Sequence, residues 1–143
     1  MTSLPEKLSP AEVRRNLVKA SVFITAYELV KEAILERVSG FFINGFDQAG
    51  LKYSPAYERD VLSRDKSKVR ASLLWLVDMK AITPQDLAAF DEMRKHRNEV
   101  AHELPKLLVD PDFSVNLHLL NDLHIMLRCL VSWGGQNRPV RGG

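Results

Sequence analysis

The chain has few of the residues that mark several common kinds of protein. It has one cysteine, Cys129, in 143 residues. A lone thiol forms no internal disulfide and no thiolate metal cluster, so nothing here demands an oxidising compartment. Cys129 lies close to Leu127, Leu130 and Val131, which predicts a buried small hydrophobe. Long hydrophobic runs are missing too. The longest strongly apolar one, residues 73–77, falls far short of the roughly 18 that suggest a membrane span. Residues 1–9 lack the basic-then-apolar order of a signal peptide, so a cytoplasmic location is expected. There is no glycine-rich phosphate loop, because Gly45 and Gly50 have neither the spacing nor the lysine of one. Strand alternation of useful length, a hairpin dipeptide between apolar runs and internal repeats are absent as well. No charge of one sign dominates. Twenty Lys and Arg stand against 18 Asp and Glu, a net +2 that permits a polyanionic partner without requiring one.

What the chain does have is legible helix punctuation. With 45% hydrophobic and 27% charged residues it has the composition of one globular domain, expected over residues 1–135. A loose basic tail is expected over 136–143. Ser9-Pro10, Ser54-Pro55 and Thr83-Pro84 each place a capping hydroxyl before a proline suited to a first helical turn. After Ser9, apolar residues recur at Val13, Leu17, Ala20, Phe23, Tyr27, Val30, Ile34, Val38 and Phe41, one face of a long helix. A polar loop is expected over 44–52, a short helix over 55–61 and a longer helix over 66–81. Thr83 opens a helix running to Leu104 and stopped by Pro105, with 106–111 as a connection. A last helix is expected over 114–133. The fold class is therefore all-α: an up-and-down bundle of four main helices plus a short one.

The segment from Thr83 to Leu104 carries the chemistry. Projected at about 100° per residue, Leu87, Phe90, Met93, Val100 and Leu104 share one arc, and Arg97 falls in its middle. A guanidinium among apolar groups needs an acidic partner, a subunit interface or a phosphate-binding cleft. Asn98 and His102 stand one turn apart on one side, and Arg94 extends that stripe backwards. Arginine donates a planar fork to phosphate, so Arg94 is a candidate substrate-binding residue. Histidine titrates near neutral pH and suits proton transfer. Asparagine orients either group. Metal-free cleavage of an RNA phosphodiester needs these residue types: a base for the 2′-hydroxyl proton, and cations for the charge developing on the phosphate oxygens. The bland alternative is that Arg94-Lys95-His96-Arg97 is a solvated basic patch, with His96 paired to Glu99.

Other chemistries leave less trace. His96 with His102, and His118 with His124, are each six residues apart, which puts neither pair on one helical face for a metal. No metal or other cofactor is expected. Asp110 and Asp112 flank Pro111 and read as turn or capping residues. Phe41, Phe42 and Phe46 either cap the core or form a partner-facing patch, while Trp75 and Trp133 read as core or interface anchors.

The run Phe90-Asp91-Glu92-Met93-Arg94-Lys95-His96-Arg97-Asn98-Glu99-Val100-Ala101-His102 resembles the signature helix of the HEPN superfamily. That signature is an arginine, usually a polar residue next, and a histidine after four to six intervening positions. Arg97, Asn98 and His102 match it with four between. The resemblance implies a HEPN-like helical bundle that dimerises so that two motifs share one cleft. It implies a metal-independent endoribonuclease of toxin–antitoxin or phage-defence type, with Arg97 and His102 catalytic and Asn98 supporting them. RNA, a second copy of the chain and an antitoxin or regulatory protein would be its partners, with no membrane. The superfamily also includes members that bind RNA, nucleotides or proteins without cutting, which is the alternative function. One toxin subgroup carries a tyrosine two residues after the histidine, where its antitoxin modifies it. This chain has Leu104 there, which argues against that form of control.

Overall fold

All three proline-associated caps form. In the computed structural model, which describes residues 4–136, the Ser9 hydroxyl accepts from the Glu12 amide at 3.3 Å. The Ser54 hydroxyl accepts from the Ala56 amide at 3.3 Å. Thr83 and Asp86 make a reciprocal box, with Asp86 N to Thr83 Oγ1 at 3.1 Å and Thr83 N to Asp86 Oδ2 at 2.9 Å. Each cap occupies amides that the first turn of a helix leaves without partners. Ser67, which no proline marks, caps a fourth helix by accepting from the Arg70 amide at 3.3 Å.

The described residues are mostly helical. In chain order they form α1 (Leu4–Lys7), α2 (Pro10–Phe41), β1 (Ile43–Asp47), β2 (Gly50–Tyr53) and α3 (Pro55–Asp60). A 3-10 turn (Leu62–Arg64) leads to α4 (Lys68–Asp78), α5 (Pro84–His102), α6 (Leu104–Val109) and α7 (Leu117–Gln136). No helix among these residues is long and apolar enough to cross a membrane. The chain divides into two compact units. One holds the described part of Met1–Leu29 with Ala88–His124; the other holds Val30–Leu87 with the described part of Ile125–Gly143.

In the first unit, Ala20, Phe23 and Tyr27 of α2 are buried with Phe90, Met93 and Val100 of α5, Leu107 of α6 and Leu123 of α7. Tyr27 stacks on Phe90 with ring centroids 5.3 Å apart, which fixes α2 against α5. Lys7 is buried, and its ammonium donates to the carbonyls of Asp110 and Phe113, tying α1 to the turn before α7. The α2 stripe departs from expectation at its first turns. Asn16 is buried and Leu17 is exposed, so the apolar face begins only at Ala20.

In the second unit, Val30, Ile34, Val38 and Phe42 are buried with Ala71, Leu73, Trp75 and Leu76 of α4 and with Met126 and Leu130 of α7. Phe42 and Phe41 pack on Trp75 at 5.3 and 5.1 Å, so these rings cap the core. The side chains of Phe46 and Trp133 and the tail from residue 137 lie outside the described residues.

Further expectations need correction. The loop placed over 44–52 is an antiparallel hairpin pairing Ile43 with Tyr53 and Asp47 with Gly50. Its turn is closed by Asp47 Oδ1 accepting from the Ala49 amide at 2.8 Å, a device that needs no Asn-Gly dipeptide. Residues 106–111 are not all connection. The helix before them ends at His102, and Pro105 sits in the first turn of α6, where its missing N–H costs nothing. The last helix begins at Leu117 instead of 114, after the Asn116 side chain caps the His118 amide at 3.0 Å. Cys129 is exposed, because α7 turns Met126 and Leu130 inward and that leaves position 129 on the outer side.

Candidate functional site

Helix α5 positions every candidate residue, and its capping box and buried Phe90, Met93 and Val100 hold it in place. Arg97 lies between the core face and solvent, with its side chain 29% exposed. Of the three partners its position called for, the fold supplies an acid. Arg97 Nη2 is 3.2 Å from Glu28 Oε1 on α2. Its Nη1 donates to Asn98 Oδ1 at 3.3 Å, while its Nε is buried and has no hydrogen-bond partner among the described residues. A buried donor left unsatisfied costs about 1–3 kcal/mol, so the Glu28 contact holds the guanidinium where it would not otherwise settle.

Arg94 and His102 stand apart from that pair. Arg94 is half exposed and lies 3.9 Å from Asp91 one turn earlier on the same helix. Lys95 is likewise 3.8 Å from Glu92, so acids one turn back temper the basic run. His102 is the last residue of α5 and is exposed, with no hydrogen bond or ion pair to Arg97 or Asn98 among the described residues.

His96 is built into the fold. Its ring meets Phe23 edge-on at 5.0 Å, and its Nε2 accepts from the Asn116 amide at 2.8 Å. Burial pushes its pKa below 6.5, against a smaller opposing pull from Glu99. The Asn116 bond requires an unprotonated Nε2, so geometry and burial agree on a neutral ring.

Tyr27 and Glu28 belong to the site, and periodicity assigned them no role in it. Burial raises the Tyr27 pKa, as does the charge of Glu28, while Arg94 and Arg97 pull it down. The phenol therefore lies in the field of both arginines. The available signal was Glu28 itself, an acid bordering the apolar stripe of α2 between Tyr27 and Val30. Among the described residues, no group of three or more His, Cys, Asp or Glu is placed to hold a metal ion. No protein-family model, curated protein or solved structure matches the chain.

Proposed function

We propose that the chain is a metal-independent endoribonuclease of the HEPN type, built on that family's four-helix bundle and working as a cytoplasmic homodimer in toxin–antitoxin or phage defence. The observation that carries this reading is the Arg97 guanidinium, held half-buried by Glu28 beside Asn98, on the same helix as an exposed His102. Glu28 fixes Nη2, and the Nη1 bond to Asn98 is long enough to exchange for a phosphate oxygen. His102 takes the proton from the 2′-hydroxyl, whose oxygen attacks the adjacent phosphorus. The P–O5′ bond breaks, and the departing oxygen receives a proton from the second copy's imidazolium. Arg97 donates to the non-bridging oxygens as charge accumulates there, and Arg94 holds a neighbouring phosphate.

Purified protein should cut RNA in EDTA. Arg97→Ala and His102→Ala should each lower the rate by roughly 100-fold or more. Undiminished cleavage by both variants would reject these roles.

The Arg97–Glu28 pair favours a second reading, a HEPN-like module that binds RNA, a nucleotide or a protein without cutting. An arginine already paired within its own chain needs no phosphate to justify it. That module would leave RNA intact yet retain it on the protein, with retention weakened in Arg97→Ala.

A further inference from the structure

Tyr27 has a buried ring and an unused hydroxyl. It is 6% exposed, and its ring lies stacked on Phe90 of α5 at an interplanar angle of 24°. A phenol so placed ordinarily finds a hydrogen-bond partner, yet Tyr27 has none among the described residues. Among those residues Arg97 Nε is the only fully covered side-chain polar atom without a partner, so the Tyr27 oxygen reaches the surface. Phe90, Arg94 and Arg97 follow one another on α5 at steps of four and three residues. Both guanidiniums therefore stem from the face on which the Tyr27 ring rests. Glu28, the residue after Tyr27, anchors Arg97. Arg94 is half exposed, and at 3.9 Å its contact with Asp91 is too long for a hydrogen bond. All of these residues belong to the first compact unit.

Tyr27, Arg94 and Arg97 all present donors, and the acids beside them leave the phenol and Arg94 unsatisfied. What this face lacks is a ligand rich in acceptor oxygens. Burial raises the Tyr27 pKa, as does the charge of Glu28, against the pull of Arg94 and Arg97, so the phenol keeps its proton at neutral pH. Arg94 and Arg97 stand one turn apart, with Cβ atoms about 5–6 Å from each other, a spacing at which a strand laid along α5 meets them with successive phosphates. We propose that the Tyr27 hydroxyl and the Arg94 guanidinium together hold one phosphate, the neighbour of the phosphate at Arg97. They thereby select an RNA strand with consecutive phosphates over a lone phosphodiester. This rests on the reading of Arg97 as a phosphate ligand, and it holds whether the strand is cut or only bound. Phe90 locks the ring, so the hydroxyl is aimed before the strand arrives and little freedom is lost on binding. Because the phenol is neutral, it adds a hydrogen bond without adding charge, whereas Arg94 adds both.

A labelled 2′-O-methyl oligoribonucleotide has no 2′-hydroxyl to attack, so its fluorescence anisotropy with the full chain reports binding alone. Tyr27→Phe keeps the ring on Phe90 and removes only the oxygen, and thermal melting verifies that it folds as the wild type does. It should weaken binding roughly tenfold and leave the slope of log affinity against log salt unchanged. Arg94→Ala should weaken binding at least as much and make that slope shallower by about 0.7, the value for one phosphate of a single strand. The double variant Y27F/R94A should bind within about twofold of Arg94→Ala, because both donors serve one phosphate, whereas Y27F/R97A should show the product of its single effects. Against the wild type, a 2′-O-methyl trinucleotide should compete roughly tenfold better than a dinucleotide, and Tyr27→Phe should abolish most of that advantage. Tyr27→Phe that binds like the wild type, or that multiplies the effect of Arg94→Ala, overturns the proposal and leaves the role of Arg97 standing. Wild type that fails to bind at roughly 100 µM, or Arg97→Ala that binds undiminished, overturns the reading of Arg97 and this proposal with it.

Discussion

His96 and Arg97 are adjacent in sequence, and the fold uses them in opposite ways. The His96 ring is an acceptor for the Asn116 amide and a wall for Phe23, so protonation breaks a hydrogen bond and charges a half-buried group. Its folded pKa lies below its unfolded value of 6.5. Above pH 6.5 the ring is neutral in both states and its contribution to stability is complete. As pH falls through 6.5 towards the lower folded value, the unfolded chain takes up the proton first and that contribution is lost. His96→Gln keeps an acceptor but does not titrate. Thermal melts at pH 7.5 and 5.5 should show the wild type losing more stability than this variant; equal losses would remove His96 from the account. For Arg97, Glu28→Gln should cost about 1 kcal/mol of stability, measured by urea titration, because the pair is partly exposed.

At the scale of elements, the chain punctuates its helices with side chains rather than glycines. Helix α4 ends in a Schellman turn, with Lys80 N to Val77 O at 3.0 Å and Ala81 N to Leu76 O at 2.9 Å. That turn places Lys80 at φ 59°, a left-handed conformation that crowds any Cβ. Lys80→Gly should therefore stabilise the protein by about 0.5–1 kcal/mol in chemical denaturation. A loss of stability would mean that the lysine makes a compensating contact. The caps at Ser9, Ser54 and Thr83 were legible because capping is local: hydroxyl, proline and first turn lie within four residues. The hairpin was not legible. Its second strand is four exposed residues, and its turn rests on the Asp47 side chain instead of a dipeptide preference.

At the scale of the whole molecule, a shared cleft ties cleavage to association. If RNA is cut in a cleft shared by two copies, cleavage per chain should fall as the protein is diluted below its dimer dissociation constant. Cleavage per chain that is independent of concentration would separate the nuclease from the dimer. Measuring activity and sedimentation on the same samples tells which of the two fails.

Sequence alone determined the positions of the long helices, most of their buried faces, and the anomaly of a charged Arg97 on an apolar arc. Those properties follow from 3.6-residue periodicity and local capping, which act over a few turns. Only the tertiary structure decided that Arg97 meets Glu28, that His96 rather than His102 is tied into the fold, and that Tyr27 stacks on Phe90. Each of these depends on how two helices are rotated and shifted against one another. Periodicity specifies which face of a helix is buried, and leaves open which residue of the neighbouring helix it meets.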